Sequence, residues 1–549
     1  MRRFGRAAAL AAAVLAGVGL RPEPEDLRKA RAYLREVQKH LLESYIERER
    51  MDRDRLSEAA VRGMARAMDH RDFAELDPAV RAAVRKAVRG KASMEEALAA
   101  AAEAAPGLDL VKLADHAGRA MIRETGDPFS RLLTDQDMAR LIKSLQGEGR
   151  DDSAGCALKP EGDAARVVYI QYGTPAYEEG IEMGDEVLEI GGRPVRDLEG
   201  EDLADFLRIP PGGALELKVR RYGREYVFRL PPRRAHIPDV RFEYLGRGVG
   251  YLRMTIFDTA LVRRARTALN QMAREGMKGL ILDLRHNPGG ALPASTGVAD
   301  LFLPQGLLVT RTVSHYRPNL WGLRLPGFSG EMEFQSKVPS AYEEIPMVVL
   351  VNRASASASE LLAGALQDHG RAVLVGERTF GKGVGQAPIL LNSMFLKRYL
   401  YLTVLRYTTP SGREVEGRGI EPDIACAEDR PDAATFDAVW KLRRSGKLEK
   451  YLEARWGPAT RALAETDGFD AARWEGFEEL HRSLDTTLTR DQVREELRRA
   501  ARRRREAEGH VWVCDLQTDT VLQRGLVELL DRLGAAEDCH GPARVAAAR

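Results

Sequence analysis

Four short apolar runs, Gly250–Met254, Gly279–Leu284, Met347–Val351 and Ala372–Val375, alternate between Gly248 and Asp423 with helical stretches such as Ala260–Met277 and Ala358–Asp368. A strand that is apolar at every position must be covered on both faces, and intervening helices are the usual cover. The alternation therefore predicts a multidomain chain built around an α/β core spanning residues 236–430.

The rest of the 549 residues is too long to share that one core. Residues 25–146 are rich in Ala, Arg, Leu and Glu, with apolar positions at helical spacing such as Leu34, Val37, Leu41 and Leu42, and predict a helical region. At Gly147 the texture changes to glycine-punctuated segments. Arg166–Ile170 and Leu215–Val219 read as strands and Gly200–Leu207 as a short helix, which gives a small compact domain over 147–235 ending at the Pro231-Pro232 break. After Pro431 the chain turns helical and charged again, over 431–549, with no motif that carries chemistry. The first 24 residues place Arg2, Arg3 and Arg6 before an apolar stretch from Ala7 to Leu20, the pattern of a secretory leader or short anchor, and so predict an extracytoplasmic location in the periplasm or cell envelope.

Charge and cysteine usage exclude several function classes. Lys and Arg number 84 against 82 Asp and Glu, mixed along the chain, so nothing global points to nucleic acid. The basic run Arg498–Arg505 reads as a solvated helix face. Cys156, Cys426, Cys514 and Cys539 have no C-x-x-C spacing, H-E-x-x-H is absent and the ten histidines do not cluster along the sequence, so neither a metal nor another cofactor is expected.

The chemistry concentrates in three segments. Val348–Val351 leads through the small-residue turn Asn352–Ser357 into Ala358–Leu366, a strand, a turn and a helix. A hydroxyl at such a turn lies near free backbone N–H groups and the positive end of a helix dipole, where an oxyanion is stabilised. Serines there also simply cap helices, and alone they do not decide between the two roles. The second segment, Gly376-Glu377-Arg378-Thr379-Phe380-Gly381-Lys382-Gly383, follows the next apolar run. A lysine held between two glycines can act as general base for a serine if desolvation keeps it neutral, and no histidine is then needed. Gly376–Lys382 also fits part of a phosphate-binding loop, but Gly383 stands where Ser or Thr would ligate magnesium and Val384–Leu391 reads as strand, not helix. The third segment, Asp283-Leu284-Arg285-His286-Asn287-Pro288-Gly289-Gly290, ends a buried strand in a turn whose N–H groups can serve an oxyanion.

Together these segments resemble the carboxyl-terminal processing peptidases of family S41, the tail-specific serine proteases with a PDZ domain. The matching pieces are Asp283–Gly290, Ser355–Glu360, Glu377–Gly383 and Thr409–Asp423, in the family's order, and the resemblance covers roughly residues 145 to 425. It implies a ClpP/crotonase-like core in which Ser357 is the nucleophile, Lys382, 25 residues on, its base, and Gln386 the residue that orients the lysine. The backbone N–H groups of Gly289 and Ala358 would form the oxyanion hole. Ser355 and Ser359 would hold turn and cap, and Asp283 and Glu377 would be structural. Gly173–Ala176 and Gly180–Gly192 resemble a PDZ domain, whose carboxylate-receiving, substrate-binding loop would run through Ser153, Ala154, Gly155, Cys156, Ala157 and Leu158, although these depart from the usual G-x-G-x-x-L.

The implied activity is serine endopeptidase action on polypeptides near exposed C-terminal tails. The competing readings are a non-catalytic peptide-binding module and a latent protease. The partners implied are polypeptide substrates, with room for a homo-oligomer and a regulatory partner. Arg62–Met64 and Asp127–Ser130 also match the family. Thr312–Ser340, with Trp321, reads as an insertion that could form a lid.

Overall fold

The computed structural model describes residues 24–145, 153–198, 203–232, 239–316, 319–320, 323–324, 330–339, 342–391 and 398–534. The leader expected at 1–24 lies outside them except for residue 24, as do Trp321 and much of the 312–340 insertion. The chain divides into two compact units.

The first unit holds residues 1–142, 312–332 and 384–407. Its helices include α1 (Glu25–Glu43), α2 (Arg53–Ala67), α3 (Pro78–Val88), α4 (Met94–Ala104) and α5 (Leu110–Arg123). Side-chain caps start four of the five: Asp52, Asp77, Ser93 and Asp109 each accept a backbone N–H of the first turn. The helices α2 and α5 approach closely because Gly63 leaves no side chain between them; a Cβ there would lie 2.8 Å from the His116 carbonyl oxygen. Strands accompany these helices. The strand β1 (Arg131–Thr134) pairs antiparallel with Arg398–Thr408, which pairs antiparallel with Val384–Leu391, and Leu400, Leu402 and Val404 join the helical core.

The second unit opens with a small sheet in the order β2 (Cys156–Glu161), β3 (Ala164–Ile170), β4 (Glu186–Ile190), β5 (Leu215–Arg221), β6 (Arg224–Leu230). The alternation of β5, with Leu215, Leu217 and Val219 inward, is that of a strand with one face buried. Of the helix expected at 200–207, the described residues form a four-residue helix, Leu203–Phe206.

The α/β core follows as a six-stranded sheet ordered β12-β11-β10-β9-β8-β7: β7 (Val240–Tyr244), β8 (Val249–Met254), β9 (Gly279–Asp283), β10 (Met347–Val351), β11 (Val373–Gly376) and β12 (Ile424–Ala425). The strands β8 to β12 pair in parallel and β7 pairs antiparallel to β8. Every residue of β9 and β10 is buried, as their unbroken apolar character requires. The helices α6 (Leu261–Arg274), α7 (Leu292–Ala299) and α8 (Ala358–Asp368) are the crossovers; α6 lies within the expected 260–277, α8 coincides with the expected 358–368, and α7 is an addition.

The C-terminal region supplies another layer. Its last helix, α9 (Thr520–Arg532), lays Val521, Leu522, Leu526, Leu529 and Leu530 on Ile281, Val348, Leu350 and Val375 of the sheet. Earlier in that region, Phe436 and Trp440 pack into the core of the small sheet. The reading of Arg498–Arg505 as a solvated face is corrected at its first residue. Arg498 is fully buried, because Asp515 receives both its terminal nitrogens at 2.8 and 2.9 Å and the Glu465 carbonyl takes a further bond.

Candidate active site

Ser357 stands at the joint between β10 and α8, with φ +56° and ψ −115°. A non-glycine residue at positive φ is strained and persists only where its surroundings hold it. Here the turn is stitched to the loop that follows β9. Ser355 Oγ donates to the Leu284 carbonyl, Ala356 N–H donates to the Asn287 carbonyl, and Ser359 Oγ donates to that same carbonyl, at 2.9, 3.0 and 3.0 Å. Ser355 and Ser359 thus hold the turn. Asn352 Oδ1 accepts from His286 N–H and Ala354 N–H, closing the junction from the other side.

Gly289 lies hard against this turn. A Cβ there would fall 2.7 Å from the Ala358 nitrogen and 2.8 Å from the Ser357 Cβ, and its φ is +91°, so only glycine fits. The structure therefore brings Gly289, Ser357 and Ala358 together. The Gly289 N–H is already engaged: it donates to Asn287 Oδ1 at 2.9 Å.

The lysine loop is tied to the serine loop by backbone bonds, Phe380 N–H to the Ser355 carbonyl at 3.0 Å and Glu377 N–H to the Val351 carbonyl at 3.1 Å. The glycines flanking Lys382 serve close backbone approach, to a neighbouring loop. A Cβ on Gly383 would meet the Glu416 nitrogen at 2.4 Å, and one on Gly381 the Arg418 nitrogen at 3.1 Å. The segment after Lys382 is the strand Val384–Leu391, as expected, so no helix N-terminus follows it to hold a phosphate.

Sequence reasoning gave no role to Glu360. Its side chain is completely buried, one turn into α8, and accepts four hydrogen bonds. Oε2 takes Ser357 N–H and Lys382 N–H, both at 2.8 Å; Oε1 takes Gly381 N–H and Thr379 Oγ1, both at 2.6 Å. Burial raises its pKa, while the four donors favour the ionised form and fill the four lone-pair positions of a carboxylate. One buried group thus grips the backbone of both Ser357 and Lys382. The signal was present in sequence, since Ser followed three residues later by Glu is a capping-box pattern; the reach to the lysine loop is tertiary.

Gln386 belongs to the first unit, where its Nε2 donates to Thr403 Oγ1 at 3.0 Å beside a shift in strand register. Asp283 is fully buried among Arg253, Arg285 and Tyr251, at 2.8, 2.7 and 2.7 Å. Burial alone would raise its carboxyl pKa, but the two guanidinium groups hold it well below the usual range. Arg285 extends the cluster to Asp519 in a two-pronged ion pair. Glu377 pairs with Arg353 at 2.9 Å.

His286, at φ +57°, carries the loop of Gly289 up to the small sheet domain. Its carbonyl accepts Tyr169 Oη–H at 3.0 Å and Tyr172 N–H at 3.3 Å. Its ring meets the Tyr177 ring edge-on at 5.1 Å and faces Glu428 at 3.6 Å. Burial pushes the Glu428 carboxyl up, but His286, Arg285 and Asn352 outweigh it and hold its pKa at about 2. With the folded value below the ordinary 4.5, its stabilising contribution is complete above that pH and lost as pH falls toward 2. Denaturant midpoints of wild type and Glu428→Gln should therefore differ by a constant amount at neutral pH and converge as the pH falls through that window. A gap that persists below it would contradict the assignment.

In the small domain β2 is the terminal strand of its sheet. The loop before it is tightly built: Ala154 N–H bonds to the Leu207 carbonyl and Gly155 N–H to Ser153 Oγ, while a Cβ on Gly155 would fall 2.0 Å from Thr174 Cβ. Cys156, Ala157 and Leu158 begin β2 itself. Cys156 and Cys426 are free thiols. The view that the histidines do not cluster is corrected by the fold: His70 and His116, far apart in sequence, meet beside Asp72 because α2 and α5 pack together.

Comparison with known proteins places these features. Residues 248–426 match Peptidase family S41 and residues 166–221 match a PDZ domain. The carboxyl-terminal-processing protease of Picosynechococcus sp. is 35% identical over 334 residues, which are 60% of this chain and 77% of that protein. Carboxyl-terminal-processing peptidase 3, chloroplastic, of Arabidopsis thaliana is 32% identical over 346 residues, 60% of this chain; the match spans 63% of the Arabidopsis protein, less than two thirds of its length. Among solved structures, a photosystem II D1 C-terminal processing protease shares the fold with a TM-score of 0.51 at 24% identity, covering 73% of this chain and 93% of that one.

Proposed function

The chain belongs to peptidase family S41, and from that premise we propose that it is a serine endopeptidase that cuts polypeptides near exposed C-terminal tails. Ser357 Oγ attacks the scissile carbonyl carbon while neutral Lys382 takes its proton. The resulting oxyanion faces the N–H groups of Gly289 and Ala358. Lys382 then protonates the leaving amine, and water, activated by the same lysine, releases the acyl group from Ser357. The observation that carries this reading is the Glu360 carboxylate, which fixes the backbone of Ser357 and Lys382 from a single buried point while Gly289 packs against both Ser357 and Ala358.

The core is of ClpP/crotonase-like type in this reading, and the PDZ domain receives the substrate tail as a strand added to the open edge of β2. The chain acts outside the cytoplasm; no helix among the described residues is long and apolar enough to cross a membrane.

A second reading, a latent protease, is favoured by one observation. The Gly289 N–H is spent on Asn287 Oδ1, so an oxyanion has to share or displace that bond. Digestion of an unfolded protein with a metal chelator present, repeated with free C-terminal peptides added, tests both. Cleavage that starts near the C-terminus supports the proposal, and cleavage that appears only with peptide supports latency. An intact substrate in both arms leaves a peptide-binding module without activity.

A further inference from the structure

In the helical first unit, His70 ends the turn after α2, Asp72 lies in the 3₁₀ turn Arg71–Phe73, and His116 projects from α5. Asp72 Oδ2 is 3.2 Å from His70 Nδ1 and 3.0 Å from His116 Nε2, and the three atoms all lie within 4.8 Å of one another. The imidazole rings meet edge-on with centroids 4.5 Å apart. Both are mostly withdrawn from water, with 17% and 15% of their side-chain surface exposed, whereas Asp72 keeps 42% and opens the cluster to solvent on one side.

Two features of this arrangement bear on a cation. His70 Nδ1 lies 3.2 Å from the Asp72 backbone nitrogen and 3.2 Å from its carboxylate oxygen. Either a proton on Nδ1 or a cation between the two atoms satisfies that approach. The spacing also suits a cation. A tetrahedral zinc ion with ligands at about 2.0–2.1 Å sets them about 3.3–3.4 Å apart, and the two separations between Asp72 and the histidines, 3.2 and 3.0 Å, lie within a few tenths of an ångström of that.

We propose that His70, Asp72 and His116 bind one divalent ion of the zinc class, with water from the open side as fourth ligand. Two imidazoles and one carboxylate are the donor set such an ion takes. The ion joins the turn at 70–72 to α5 across 44 residues of chain and acts as a staple for the helical unit. It takes no part in the peptide chemistry, and this site stands whether or not the peptidase reading holds.

The test is titration of the metal-stripped full-length protein with zinc by calorimetry, and with cobalt(II) by visible absorption, for wild type, His116→Gln and Asp72→Asn. The expected result is one equivalent bound, tetrahedral cobalt bands, and a rise in Tm of about 3–6 °C at saturation. Both variants, shown folded by circular dichroism, should bind at least about tenfold more weakly. Asp72 is the more exposed member, so its isosteric substitution keeps the test valid if His116→Gln unfolds. No binding at submillimolar zinc, or binding that both variants retain through the free thiols or elsewhere, overturns the proposal.

Discussion

Replacing Ser357 by alanine should lower kcat for cleavage of an unfolded protein by about 10⁴-fold or more, and Lys382→Ala should do the same, if the two are the proposed nucleophile and base. The reason is chemical. Without Oγ no acyl-enzyme forms, and without the amine nothing takes the hydroxyl proton or returns it to the leaving nitrogen. The two losses should not add, because nucleophile and base act as one unit, and the double variant should be about as slow as either single one. Ser357→Ala gives up the side-chain half of the capping box on α8, about 1 kcal/mol, and keeps the backbone bond to Glu360. Lys382→Ala keeps its backbone N–H bond to Glu360. Folded variants with lost turnover would locate both residues in the chemistry; variants that cleave at wild-type rate would remove them from it.

What could be read from the sequence follows the range of the interactions involved. The strands β9 and β10 and the helix α8 were legible almost to the residue, because an apolar run bounded by small residues expresses its burial locally. The glycines around Lys382 announced close backbone approach, though not that the partner would be the loop at Glu416. The layer that α9 lays on the central sheet was not legible: its leucine spacing marks an apolar face, and nothing in the spacing says which sheet that face meets. Arg498 misled for the same reason. A run of arginines looks solvated until Asp515, brought in by the fold, neutralises one of them in the interior. His70 and His116 are brought together only by the close packing of two helices that Gly63 permits.

Glu360 is where local and tertiary information part most sharply, and its substitution has the second large effect. In Glu360→Gln one amide oxygen still accepts two donors, but the NH₂ group must face two others. One pair of N–H or O–H groups from Ser357 and Lys382, or from Gly381 and Thr379, is then left buried and unsatisfied. That costs about 2–4 kcal/mol of stability, readable as a lower denaturant midpoint. It also frees the serine turn and the lysine loop from their common anchor. Misplacement of reacting groups by about 1 Å costs about 10²-fold in rate, so kcat should fall by that order. KM should change little, because the PDZ domain that would hold the tail has no part in this network. A purely structural role predicts something different: loss of folded protein, with the surviving fraction turning over at the wild-type kcat. Active-site titration that normalises kcat to competent enzyme separates the two, and a wild-type kcat per titrated site would leave Glu360 as a helix cap alone.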